Sequence, residues 1–395
     1  MGKSWLSEFG TNLFQGIKEK CKEAEAEGKI LYRLSIGQPK GPALLVARQR
    51  AAIAIMSDKE SMHEYQDNKS PGALGFAERF VHFHVHNGLA GIEDDHQVDY
   101  LPIPGIKPML GLVPLACDCA INKIKVATTT KPGYPTPRDW CGYLGLEVQE
   151  LPLTPENNFR FSVDDIEDGI NLIMMNYPHN PTGQIATKKW LEELCEHCQK
   201  HNIRIFNDGA YMALSHSNES CALTKVAVRF PELSWLEAFS ASKLIKNGTG
   251  WRIGAMVGSR DFVQDLKTIK GNTDSGFVAP LAAGVLAAIE HNRDGIEQCR
   301  STYARRLHVL IKLLSKHGMQ LAVVPEAGFF TLWKAPKKAF GQDIESAEQF
   351  NFLMIERTGV VGVHFHPYIR YAVCGDVEEM SKHIDAAFEA ADVSY

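Results

Sequence analysis

The 395-residue sequence contains no apolar run approaching the length of a membrane span, no internal repeat and no low-complexity tract. It also has no surplus of basic charge. With 42 Lys and Arg against 47 Asp and Glu the formal net charge is −5, which argues against a dedicated nucleic-acid binder. Small anionic ligands stay open, because their sites need only local positive charge. The opening residues MGKSWLSEFGTNLF lack the long apolar stretch of a secretory signal, and Leu6 stands where a myristoylation signal requires Ser or Thr. No GxGxxG separates a strand from a helix with an acidic residue beyond, so the dinucleotide-binding oxidoreductases lose their main signature. The nine cysteines are an odd, scattered set, which points to reduced thiols and a cytoplasmic location rather than a disulfide framework.

Metal chemistry is equally thin. Cys195 and Cys198 form a CxxC, but they lie inside KKWLEELCEHCQKHN, whose apolar residues recur at the helical period, and no second pair stands at zinc-finger spacing. They read as buried helix cysteines. His82, His84 and His86 alternate without a carboxylate set and read as helix or surface histidines, as do His364 and His366. No metal is expected.

What is present is an alternation of helical and strand-like segments, from about residue 98 to residue 280, in a chain long enough for two domains. INLIMMNYP is apolar without alternation, the pattern of a strand buried on both faces. IRIFND, WLEAFS and RIGAMVGS are further strands, so a predominantly parallel sheet covered by helices is the economical arrangement. DYLPIPGIKPMLGLVPL reads as strand, glycine turn and a helix interrupted by Pro108 and Pro114. The C-terminal part, from NFLMIERTGVVGVHF through YIRYAVC to a closing helix, reads as a smaller α/β domain that packs with the N-terminal arm.

Several residues could carry chemistry. Lys243 follows Ser240 and Ser242 at a strand end and precedes a glycine loop; an amine there can condense with an aldehyde and shuttle protons if its pKa is lowered. Arg252 could bind phosphate and supply that lowering. Asp208 ends a strand, either as a helix cap beside a packing Tyr211 or as the partner of a protonated pyridine nitrogen, with Tyr211 reaching an oxygen on the same ring. Asn180-Pro181-Thr182-Gly183 is either an ordinary turn or a donor segment, and Asn180–Pro181 is a plausible cis bond. Tyr134, between prolines, could stack on a flat ring. The turn Pro104–Lys107 could offer free amides to a phosphate.

Taken in this order, NPTG, DGAY, SASK with GWRIG, and the late arginine of YIRYA give the chain its resemblance to fold-type I pyridoxal-phosphate aminotransferases of class I/II. It is most similar to the branch holding aspartate and LL-diaminopimelate aminotransferases. The resemblance implies a large α/β domain with a mainly parallel seven-stranded sheet flanked by helices, plus a smaller α/β domain. The expected division is an arm and part of the small domain over 1–45, the cofactor domain over 46–285 and the small domain over 286–395.

The resemblance also assigns roles around pyridoxal 5′-phosphate. Lys243 would join the cofactor aldehyde and move the substrate proton, while Asp208 would hold the pyridine nitrogen. Tyr211 and Asn180 would bond the phenolic oxygen, and Tyr134 would stack on the ring. Ser240, Arg252 and the amides of Gly105, Ile106 and Lys107 would cradle the phosphate. Tyr65 would reach the cofactor of a neighbouring subunit, which makes a homodimer part of the expectation. Arg370 would clamp the substrate carboxylate, with Gly37 against the substrate. The reaction implied is amino transfer from an L-amino acid, diaminopimelate or a related one, to a 2-oxo acid such as 2-oxoglutarate. A C–S β-lyase or a non-catalytic protein on the same fold are the alternatives.

This sequence departs from the pattern in three places, the first being Ile106-Lys107 in the phosphate turn, where small residues are usual, followed by two prolines in the helix. The spacing from Lys243 to Arg252 is one residue longer than the family leads one to expect, which offers Lys246 as an extra cation. KGNTDSG carries no arginine for a dicarboxylate side chain, with Lys270 as a possible substitute.

Overall fold

The computed structural model describes residues 13–86, 89 and 98–395; residues 1–12 of the expected arm lie outside the described residues. The chain forms two units. The larger holds Gln38–Thr302 and Glu326–Gly328, and the smaller holds the segment ending at Gly37 with Tyr303–Pro325 and Phe329–Tyr395.

Seven strands make the sheet of the larger unit: β1 (Val98–Ile103), β2 (Lys125–Thr128), β3 (Glu147–Glu150), β4 (Ile170–Met175), β5 (Arg204–Asp208), β6 (Trp235–Ser240) and β7 (Gly254–Ser259). Their order is β1-β7-β6-β5-β4-β2-β3. All neighbours are parallel except those of β7, which runs antiparallel to β1 and β6. β6 is buried at every position and β4 at all but one, as strands covered on both faces must be.

The helices follow from sequence pattern. Lys188–His201 buries Leu191, Leu194, Cys195 and Cys198 along one face, begins where the Thr187 hydroxyl accepts from the Trp190 N–H, and ends on left-handed Asn202. The CxxC is therefore a packing feature, and burial pushes both thiols well above their ordinary range. Ile106–Leu115 runs through Pro108, which sits in the first turn where no N–H is needed, and bears Pro114 only near its end. The expected interruption does not occur.

The units divide at Gly37 and Thr302 rather than near 45 and 285. Packing explains the difference. Helix Ala279–His291 lies against Leu45–Ile55 so closely that a Cβ on Gly284 would stand 2.5 Å from the Ala47 carbonyl oxygen, which keeps both helices in the larger unit. Glu326–Gly328 joins it as well, because Glu326 N donates to Gly183 O and Gly328 N to Leu214 O.

In the smaller unit, strand Phe330–Lys334 pairs antiparallel with Leu321–Val323 and with Tyr368–Ala372, and the latter pairs with Val363–Phe365. Tyr32–Arg33 adds a parallel pairing to Val360–Val361. Helix Leu13–Ala26 buries Ile17, Cys21 and Ala24 against Ile355, Val361 and Val363.

Candidate active site

Strand register collects the candidate residues of the larger unit. Asp208 pairs with Ala238 across the parallel strands β5 and β6, so the ends of both strands lie side by side. The chain leaves β6 through Ser240, whose hydroxyl accepts from the Ser242 N–H and starts the short helix Ala241–Leu244 that carries Lys243. Lys243 lies close enough for its charge to act on Asp208. Burial nevertheless dominates there: it raises the Asp208 carboxyl to about 6 against the opposing pull of the Ala210 N–H bond and of Lys243.

Only one oxygen of that carboxylate, Oδ1, accepts a bond from a described residue, the Ala210 N–H at 3.1 Å. A half-buried carboxylate with an oxygen to spare suits a cationic nitrogen. Tyr211 is buried three residues on, and half-buried Tyr134 packs against the apolar core of the same unit, as Ala210 does.

A second register line builds an anion cradle. Ser240 pairs with Gly254, and Gly254 pairs with Ile103, so Ser240 is aligned with the residue before Pro104. Beyond it, Gly105 has φ +81° and precedes helix Ile106–Leu115 without a capping side chain, leaving the first amides for a ligand. The Arg252 guanidinium lies on this turn: Nη1 donates to Thr249 O, Nη2 donates to Pro104 O, and a Cβ on Gly105 would be 2.3 Å from Nη2. Only glycine leaves that space. Ser240, Arg252 and the Gly105–Lys107 turn are thus brought together, a donor set that could hold a phosphate and that a flat, cationic, phosphorylated ring would fit.

Asn180 is buried, and Asn180–Pro181 is cis. Its position depends on a residue that the sequence reading passed over. Asn176 donates through Nδ2 to the Asp208 carbonyl at 2.7 Å and accepts from the Asn180 N–H at 2.9 Å, joining the two candidate segments. Beneath them Glu237 is fully buried and accepts from Asn207 Nδ2, Leu223 N, Thr224 N and Thr224 Oγ1. Burial raises its carboxyl although all four donors oppose that shift. Asn207 in turn clasps both backbone groups of Tyr177. His179 bonds Thr182 Oγ1 and Thr129 O, and burial lowers it to about 4, so it is a neutral spacer within the turn. The available signal was a set of polar residues inside otherwise apolar strands, which are kept only where partners exist.

Two lysines were candidates for substrate contact. Lys270 is completely buried, ion-paired with Asp274 at 2.7 Å and bonded to Asn68, so it has no access to a substrate. Its task is to hold the loop before it, where Gln66 N and Asp67 N donate to Ser275 O. That loop carries Tyr65, which is 78% exposed. Lys246 is left-handed at φ +67° and pairs with Ala43 in an isolated bridge beside Gly41.

Gly37 and Arg370 belong to the smaller unit. Arg370 is buried, donates from Nη2 to Ser35 O at 2.8 Å, and lies over the Phe330 ring at 4.2 Å and the Phe365 ring at 5.5 Å. Phe330 also lies against Gly37, 3.0 Å from where a Cβ would be. The guanidinium is therefore held by the two rings and the Ser35 carbonyl, and such fixing is the preorganisation that two-pronged carboxylate recognition requires. Among the described residues no group of three or more His, Cys, Asp or Glu could hold a metal ion, and no helix is long and apolar enough to cross a membrane.

The family profile "Aminotransferase class I and II" matches residues 29–386. An LL-diaminopimelate aminotransferase of Nitratidesulfovibrio vulgaris is 27% identical over 94% of both chains. One of Methanocaldococcus jannaschii is 32% identical over 68% of this chain and 64% of its own. Among solved structures, the aspartate aminotransferase of Rhizobium meliloti superposes with a TM-score of 0.82, covering 99% of this chain and 98% of its own at 18% identity.

Proposed function

The chain belongs to the class I and II aminotransferases, in the fold-type I group near the aspartate and LL-diaminopimelate branch, and from that premise we propose that it moves the amino group of an L-amino acid to a 2-oxo acid. The observation that carries this reading is the placement of Lys243 beside Asp208, a half-buried carboxylate with its pKa raised and, among the described residues, an oxygen to spare. Pyridoxal 5′-phosphate would supply the aldehyde and the electron-withdrawing ring. Ser240, Arg252 and the amides after Gly105 would hold its phosphate, and Asp208 its ring nitrogen. Asn180 and Tyr211 would bond its phenolic oxygen, and Tyr134 would cover one face.

Lys243 Nζ would first hold the cofactor and then act as the base that moves the substrate α-proton. Arg370 would orient the substrate by its α-carboxylate, and Gly37 would leave it room. That clamp would direct the breaking C–H bond, which is how position lowers the barrier. Tyr65, exposed on its anchored loop, would complete the phosphate site of a second copy in a homodimer. Diaminopimelate or a related amino acid is the donor favoured by the two named relatives, with 2-oxoglutarate as acceptor.

The test is glutamate formation from 2-oxoglutarate across a panel of amino donors that includes LL-diaminopimelate. Turnover should vanish in Lys243→Ala. Borohydride treatment of the cofactor-loaded protein should fix the cofactor on Lys243. Native turnover by the variant, or no adduct at that lysine, refutes the assignment. Release of pyruvate and ammonia from a cysteine conjugate without glutamate would replace amino transfer by a lyase.

A further inference from the structure

A cavity of about 530 Å³ opens in the larger unit away from the cradle just described. Its walls come from the helix ending at His84, the segment Met212–Lys225 and the start of helix Arg293–Lys316. It backs onto the catalytic elements without sharing their residues: Met212 follows Tyr211, and buried His84 stacks on Phe239, the neighbour of Ser240, at 4.6 Å.

Among the described residues, the charges of this cavity are unbalanced. Arg300 is bonded to both oxygens of Glu297 and to Ser215 O, which accounts for one cation and one anion. Half-buried Lys225 makes no side-chain bond or ion pair among the described residues. Arg293 has the Ile289 carbonyl and the Phe83 ring but no carboxylate among the described residues. Asp294 is the one remaining acidic side chain among the described residues of the wall, against these two cations. Lys225, Arg293 and Arg300 lie near enough to His86 to add to the burial that lowers its pKa. A hydroxyl donor is at hand too, for Ser220 Oγ has only the Met212 thioether among the described residues, at 3.8 Å, and a thioether is a weak acceptor.

We propose that this cavity binds a phosphorylated small molecule, with Lys225 and Arg293 holding the phosphate and Ser220 donating to it. The volume is that of a metabolite site, and a phosphate dianion would balance both uncommitted cations while offering three acceptor oxygens. This inference does not depend on which reaction the enzyme performs.

Calorimetric titration of the cofactor-loaded protein, with the cofactor's own site already filled, tests it with glycerol 3-phosphate, pyrophosphate and succinate. The expected result is saturable binding of a phosphate probe at one site per chain. It should weaken by about tenfold or more in Lys225→Met and in Arg293→Gln, as expected for loss of a charge-assisted hydrogen bond. Lys225→Arg should retain it, and the cofactor spectrum should stay unchanged in all three variants. Tighter binding of glycerol 3-phosphate supports an organic monoester, and tighter binding of pyrophosphate supports an inorganic or polyphosphate ligand. No saturable binding, binding indifferent to both charge-removing substitutions, or equal binding of succinate overturns the proposal.

Discussion

Asp208→Asn should make the cofactor-free protein more stable while making it a poorer enzyme. The asparagine keeps an oxygen for the Ala210 N–H and removes a charge that the site disfavours. The carboxyl is raised from 3.8 to about 6, chiefly by burial. Roughly two pKa units correspond to about 3 kcal/mol, and because the residue is partly open to water, screening brings the measurable gain to roughly 1–2 kcal/mol.

The sign follows from proton linkage. Between pH 3.8 and about 6 the folded protein keeps a proton that the unfolded chain has released. Wild-type stability therefore falls as pH rises through this window, and the penalty is complete above it. Urea unfolding of the two cofactor-free proteins should show the variant ahead at pH 8 and the difference gone below about pH 4. Added pyridoxal 5′-phosphate should reverse the ranking at pH 8, because ligand stabilisation grows with affinity and the variant lacks the carboxylate partner. A variant less stable than wild type at pH 8, or a difference unaffected by pH, refutes the argument.

Gly105→Ala places a Cβ where Arg252 Nη2 now lies and puts alanine at φ +81°. Cofactor affinity should fall tenfold or more in a spectroscopic titration, with the circular dichroism spectrum unchanged. Lys270→Met leaves the Asp274 carboxylate without its buried ammonium and should cost about 3 kcal/mol in urea unfolding. An unchanged midpoint would mean that the pair anchors nothing. Glu237→Gln turns an amide group toward two of the four donors that the carboxylate now satisfies. The loss should be about 2–4 kcal/mol, read as a lower thermal midpoint.

The periodic elements were legible because each follows from local pattern. The apolar run of β4 and the helical stripe ending in Cys195 and Cys198 both appear where their burial requires them. The candidate residues Asp208, Lys243, Asn180 and Arg252 could be named because they sit at strand ends and turns, where chain direction exposes functional groups. Lys270 could not be read in the same way. Its place in a loop without arginine suggested a substrate contact, and only the approach of Asp274 and Asn68 shows that the ammonium is committed elsewhere. For Asn176 and Glu237 the polar residue type was visible in the sequence, but the partners were not, since they are distant in sequence.

The sequence by itself determined the alternation of strands and helices, the family resemblance and the residue types available for chemistry, because these depend on short-range pattern and on motif order. Only the tertiary structure decided which polar groups meet. Parallel register set Asp208 beside the strand that leads to Lys243, the Gly105 turn accepted the Arg252 guanidinium, and Lys270 was drawn into an ion pair. Such meetings depend on how segments remote in sequence are brought together, and burial then fixes the charge that each group can hold.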